Sequence, residues 1–347
     1  MNVTKFKSTQ FTSLLALCLV LSLALIGCGT DSTNGTSGSN SEGDTESESG
    51  EKAIDFPTEP IVVTLPWAPG GSSDLTMRAI ADILGPKLDQ PVQVVNREGA
   101  NGTIGLAEAV NAKTDGHDVV FGSSGAFTAQ PHMRDVQYEA DDFKGIVGLT
   151  YEPTLLAVNA DSDWETLDDL IAEKDTGRVI KFGHSGAGGF PHVTQAAFFG
   201  QAGIEAESVP YEGGGPAVAA LLGGHIDTVA AHPAELIPHA ESGDFRILGI
   251  FSSERFDALP DVPTFQEKGF DLNMSVWKFL LVPRDTPDEI VAELRNIFAD
   301  AINDPQYKEF LENNSLSPMD IDPDEIIPRL NEERESTGAI LSELDIE

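Results

Sequence analysis

The residues able to do chemistry in this chain are serines set in glycine-rich turns, a few histidines and two cysteines. Gly183-His184-Ser185-Gly186-Ala187 nearly matches the Gly-x-Ser-x-Gly turn that presents a nucleophilic serine, and Asp227 and His232 or His239 follow in the order such a triad needs. Ala187 replaces the last glycine, however, and the predicted helix waits until Pro191, whereas a nucleophile turn needs its helix directly after the serine. A secreted serine hydrolase using Ser185 is therefore the alternative reading. The other turns carry hydroxyls without a base: Pro69-Gly70-Gly71-Ser72-Ser73-Asp74, Gly99-Ala100-Asn101-Gly102-Thr103, Gly122-Ser123-Ser124-Gly125, Gly186-Ala187-Gly188-Gly189 and Gly213-Gly214-Gly215-Pro216. Hydroxyls and backbone N–H groups at helix starts can hold an anion without any side-chain charge.

His117, His132, His225 and His239 sit as turn or surface residues, and no pair of histidines has a metal-binding spacing. Cys18 and Cys28 are too few for a disulfide scaffold or a thiolate zinc cluster. No metal and no cofactor is called for. The chain has 347 residues with 21 Lys and Arg against 57 Asp and Glu, a net charge of −36. Nucleic acid is excluded as a partner, because phosphate binding draws on clustered basic residues.

The turns are positioned by a repeated unit: a short β-branched run, a glycine or serine turn, then a segment of helical apolar spacing. Ile61–Trp67, Val92–Asn96, His117–Phe121, Val179–Phe182, Glu207–Tyr211 and Thr228–Ala231 read as strands. Pro191, Pro216 and Pro233 are each placed at the first position of a helix. This pattern predicts an α/β fold with mainly parallel sheets, its loops gathered at the carboxyl ends of the strands where such sheets bind ligands.

The N-terminus is different. Lys5 and Lys7 precede an apolar run from Phe11 to Ile26, the layout of a secretory signal peptide and short for a membrane span of about 20 residues. Leu25-Ile26-Gly27-Cys28 resembles a lipoprotein processing site, so residues 1–28 are read as a lipoprotein signal with Cys28 as lipid anchor. Residues 29–55 are polar and acidic with almost nothing apolar, hence a disordered tether. Only seven of the 57 acids lie in that tether, so the acidity belongs to the folded surface.

The ordered set of turns resembles the tripartite tricarboxylate transporter solute receptors, the Bordetella uptake family. It is carried by Pro60–Val63 with Pro66–Asp74, Val95–Gly105, Asp115-Gly116-His117, Gly122–Gly125, Val209–Pro216 and Leu259–Thr264. The resemblance implies a two-lobed, type II periplasmic-binding fold with a hinge. One lobe would hold 56–153 plus 278–347 and the other 154–277. It further implies an extracytoplasmic, lipid-anchored receptor, not an enzyme, acting as a monomer. Such a receptor captures a small organic carboxylate, a di- or tricarboxylic acid, and delivers it to a carrier of one large and one small integral membrane subunit.

Expected contacts are Trp67, Gly71, Ser72, Ser73, Thr103, Ser123 and Ser124 from the first lobe, and Ser185, Gly188, Gly189 and His232 from the second. Asp74 is expected to brace its loop, since a bare carboxylate repels an anion. Two positions depart from the family pattern: Phe190 stands where Thr or Ser usually precedes Pro-His, and His232 where many relatives carry Asp or Asn.

Overall fold

The computed structural model describes residues 55–343. The signal segment, Cys28 and the tether as far as residue 54 lie outside them. From the start of this region run β1 (Ile61–Leu65), α1 (Ser72–Leu84), β2 (Val92–Asn96), α2 (Thr103–Val110), β3 (Asp118–Ser123) and the short helices α3 (Ser124–Thr128) and α4 (Gln130–Met133). A long strand, β4 (Phe143–Asn159), and the short helix α5 (Leu167–Ile171) follow. Next come β5 (Ile180–His184), α6 (Phe190–Ala202), β6 (Ala206–Pro210), α7 (Gly214–Leu222), β7 (Thr228–Ala231), α8 (Pro233–Ser242) and β8 (Phe245–Phe251). The chain closes with β9 (Ser275–Pro283), α9 (Asp288–Ile302), α10 (Pro305–Asn313), β10 (Ser317–Pro318) and α11 (Ile326–Glu343).

The predicted strand–turn–helix units are present, and their strands pair in parallel: β1 with β2 and β3, β5 with β6 and β7. Antiparallel pairs join these groups, giving the order β2-β1-β3-β9-β4-β7-β5-β6 with β8 and β10 also on β4. The sheet is thus more mixed than the local pattern implies, because β4 and β9 lie outside the repeating units. β4 belongs to both groups: Pro153 pairs with Ser275 of β9, and Thr154 pairs with Phe251 of β8.

Strand alternation sets the cores. In β9, Trp277, Phe279 and Leu281 face a layer with Leu106 of α2 and Leu330 of α11, while Leu280 and Val282 face Met77 and Ile80 of α1 and Leu294 and Phe298 of α9. In β4, Leu156 and Val158 join a core with Phe198 of α6, and Leu155 and Ala157 one with Leu221 of α7. Helix α1 buries Met77, Ile80, Ile83 and Leu84, each worth roughly 1.5–3 kcal/mol by area removed from water. Buried strands hold the turns after β1, β3, β5 and β7, while β2 and β6, at the two ends of the strand order, are only partly buried.

Two helices begin earlier than proline placement predicts. α6 starts at Phe190 and α7 at Gly214, so Pro191 is second and Pro216 third; only Pro233 is first. The N–H groups of the whole first turn lack intrahelical acceptors, so proline is tolerated anywhere in it.

Candidate functional site

The carboxyl ends of β1, β3, β5 and β7 and the turn after β6 face a common cavity of about 50 Å³. A ligand seated there is small. Trp67, Gly71, Ser72 and Ser73 line it after β1, Ser123 at the end of β3, Ser185 and Gly189 after β5, and His232 after β7. Eight of the expected contacts are thus brought together from turns far apart in sequence.

The other three stand elsewhere. Thr103 donates its hydroxyl to the Ala100 carbonyl at 3.1 Å and lines a separate surface groove. Ser124 is fully buried, its Oγ accepting the Trp277 N–H at 3.2 Å. Gly188 faces α4: its φ is +78°, and a Cβ there would lie 2.6 Å from Gln130 Nε2.

Helix N-termini dominate the wall. Gly71, Gly189 and Gly213 are the N-caps of α1, α6 and α7, and none of these helices has a side-chain cap. Side chains of the caps therefore do not occupy their first N–H groups; at α6 the Phe190 N–H is the one left, since Pro191 has none and His192 N–H donates to the Gly189 carbonyl at 2.9 Å, and the positive end of each helix dipole lies behind them. Ser72 and Ser73 are therefore the first two residues of α1 and not its caps. Asp74 braces the loop: its Oδ2 accepts the Gly70 N–H at 3.0 Å, its Oδ1 accepts from Asn96, and Arg78 pairs with it at 2.8 Å. Burial opposes this charge, but those partners hold the carboxyl below its ordinary range.

Several lining residues were not expected. Asn101 follows β2 with φ of +53°, accepts the Trp67 Nε1–H at 3.2 Å, and places its amide against Gly189. Lys278 of β9 pairs with Ser123 across the ladder and turns toward the start of α1. Its Nζ donates to Ser72 Oγ at 2.7 Å and to both oxygens of Glu152 at 2.8 Å. Ser72 and Thr150 hydroxyls complete the shell of Glu152 at 2.7 and 2.6 Å. Burial works against this carboxylate, yet Lys278, His232 and the hydrogen bonds keep it below the ordinary glutamate range. The sequence signal was present for the lysine alone: Lys278 is the one charged residue in the apolar strand β9, whereas β4 carries Lys144 as well as Glu152. Glu235, third in α8, also lines the cavity and accepts the His232 N–H at 2.9 Å.

The turn after β5 is clamped by two histidines. His184 Nδ1 accepts the Gly186 N–H and His192 Nδ1 the Gly188 N–H, both at 3.2 Å. His184 Nε2 thus carries its proton toward Ser208 Oγ at 2.8 Å. Burial, with the adjacent His192, pushes His184 down to about 3; burial and Arg134 push His192 down to about 4.

Among the described residues no hydrogen bond joins Ser185 to His232 or His239, so no triad forms around it. Asp227 is engaged by Arg178 at 2.6 Å and by the Lys181 N–H, and His239 by Asp244 at 3.3 Å. Elsewhere Glu59, Asp115 and His117 cluster. His117 is buried, not a surface residue; its Nε2 accepts the Thr58 and Glu59 N–H groups, which leaves Nδ1 as a donor to Asp115 at 3.2 Å. That is a turn brace. No helix among the described residues is long and apolar enough to cross a membrane.

Comparison with known proteins agrees with this geometry. The protein BugT of Bordetella pertussis is 30% identical over 275 residues, which is 78% of this chain and 84% of BugT. MatC of Rhodopseudomonas palustris, solved with bound malate, is 25% identical with a TM-score of 0.77, covering 82% of this chain and all of MatC (100%). Rpa4515 of the same species, solved with adipate, is 25% identical with a TM-score of 0.78, covering 84% of this chain and 98% of its own. Residues 76–346 match the family described as the tripartite tricarboxylate transporter family receptor. With its two-lobed periplasmic-binding fold and its uncapped helix ends around one cavity, the chain belongs to that family of extracytoplasmic solute-binding receptors.

Proposed function

We propose that this receptor captures a small organic carboxylate, a di- or tricarboxylic acid, and hands it to a carrier of one large and one small integral membrane subunit. The observation that carries the reading is the convergence of three helix N-termini without side-chain caps, those of α1, α6 and α7, on one small cavity. Backbone N–H groups with Ser73, Ser123, Ser185 and the Asn101 amide bind the acid, and the lobes formed by 56–153 with 278–347 and by 154–277 close over it. The malate and adipate bound by the two R. palustris relatives support an acid of this size. Phe190 and Val276 in the wall suit an acid with an apolar middle.

The receptor works as a monomer, tethered by 29–55 to a lipid on Cys28. Changing Cys28→Ala abolishes fatty-acid labelling; a variant still labelled would refute the anchor. A melting-temperature screen of mono-, di- and tricarboxylates tests the ligand class. A ligand at a hundred times its Kd stabilises by about 2.7 kcal/mol, an easily read shift. No response to any acid would overturn the reading.

A further inference from the structure

We propose that α4 is a latch between the lobes, in which Gln130 and Arg134 are positioning residues that hold the closed form through the Ala187 carbonyl without touching the ligand. This rests on the receptor reading and the lobe division proposed above, and adds to them a closure contact indifferent to which solute is bound.

Ala187 lies in the turn between β5 and α6, within the lobe of 154–277. Both hydrogen bonds to its carbonyl come from the lobe of 56–153: Gln130 Nε2 and Arg134 Nη2 each donate at 3.0 Å. Two donors occupy both lone pairs of that oxygen. The following N–H, of Gly188, is accepted at 3.2 Å by His192 Nδ1 of its own lobe. One peptide unit is thus gripped from both sides, two residues after the cavity-lining Ser185. Gly188 is the seat of the latch. Its φ is +78°, and a Cβ there would lie 2.6 Å from Gln130 Nε2 and 2.8 Å from Met133 Sδ. Only glycine leaves α4 room to press on this turn.

Neither latch side chain is used within its own lobe. Among the described residues, the Ala187 carbonyl is the one hydrogen-bond partner that either side chain has. Gln130 is fully buried, and its Oε1 and the Arg134 Nε are both buried without a partner. Side chains kept for packing alone would cost less as hydrocarbons of similar shape. Arg78, Arg178, Arg255, Arg295 and Arg329 each pair with a carboxylate, whereas Arg134 spends its charge on a carbonyl of the other lobe. Helix α4 is itself fixed from behind. His132 Nε2 donates to the Arg334 carbonyl of α11 at 2.8 Å, and a Cβ on Gly338 would fall 2.5 Å from the same ring.

No residue of α4, nor Arg134, lines the cavity. Other contacts between the lobes start from its wall: the Ala68 N–H donates to the Glu212 carbonyl at 2.9 Å, and Asn101 packs on Gly186 and Gly189. Altering those residues disturbs the ligand as well. The latch is separable. Its energy enters the closed state alone, so it scales the affinity for every solute by one factor and leaves their ratios unchanged.

The test compares the full chain with Arg134→Met and with the double variant Gln130→Met, Arg134→Met, each checked by its melting curve. Malate, adipate and citrate are the probes in stopped-flow binding and release. Release from the double variant is expected to be roughly 10-fold faster, the worth of one hydrogen bond from a charged donor. Association should be unchanged and the factor equal for each acid bound. Small-angle scattering without any acid is the second readout, and the double variant should have the larger radius of gyration. Should that variant not fold, Arg134→Met alone, at a half-buried position, is read in the same way. Unchanged release, a factor that differs from acid to acid, or equal radii would overturn the latch. If the parent binds none of the acids, the carboxylate reading falls, and the scattering comparison alone decides the latch.

Discussion

Lys278 Nζ lies 2.8 Å from each oxygen of Glu152, with both side chains almost completely buried, 2% and 0% exposed. The pair joins β9 to β4 at the cavity floor, and Ser72 ties it to the first turn of α1. Its interior position has a direct consequence for single substitutions. Lys278→Met leaves a buried carboxylate uncompensated and should cost about 3–5 kcal/mol in denaturant unfolding. Lys278→Met combined with Glu152→Leu removes both charges and should recover most of that loss. A double variant no more stable than the single one would show that the pair is not coupled as its geometry indicates.

Ser72 and Ser73 are neighbours with different duties. Ser72 is engaged by Glu152 and Lys278, whereas Ser73 is half-buried in the cavity wall. Ser72→Ala should lower stability by about 1.5–3 kcal/mol, the worth of a hydrogen bond to a charged group. Ser73→Ala should weaken ligand binding by about 1–3 kcal/mol with little change in melting temperature. Ser73→Asp should bind still more weakly, adding a like charge at the ligand. Titration beside melting curves separates the two serines; a Ser73→Asp variant that bound as tightly as the parent would exclude this loop from the site.

The buried histidines predict acid sensitivity. His184 and His192 are depressed to about 3 and about 4 from an ordinary 6.5. Below 6.5 the unfolded chain takes up protons that the folded protein refuses until those lower values. The unfolded state thus binds more protons across that window, and stability falls as pH drops through it. Stability should be full above it and the histidine contribution lost below it. His192→Asn retains an acceptor facing Gly188 but cannot protonate, so the slope of unfolding free energy against pH should shrink by about one proton between about pH 6 and pH 4. An unchanged slope would place the linkage elsewhere.

Salt should stabilise the protein. A net charge of −36, little of it in the tether, makes the folded surface repel itself. Screening acts over about 10 Å at 0.1 M salt, so melting temperature should rise from low to high NaCl. A flat or falling curve would count against surface repulsion as a destabilising factor.

What the sequence determined by itself was local. The strand runs, the glycine turns and the helices after them are written in periods of two and 3.6 residues, and they sufficed to place Gly71, Ser73, Ser123, Ser185 and Gly189 near one cleft. The resemblance of those turns to one receptor family carried the two-lobed fold. Tertiary structure decided what periodicity cannot encode, namely which strands meet. β4 and β9 pair across more than a hundred residues, and only that pairing sets Lys278 against Glu152, 126 positions away, and against Ser72, 206 positions away. The same pairing converts Ser72 from an expected ligand donor into a structural one. Thr103 and Ser124 were likewise turned from expected ligand donors to other partners, for a related reason: a hydroxyl at a helix start has the backbone as a competing partner, and only packing decides which partner it takes.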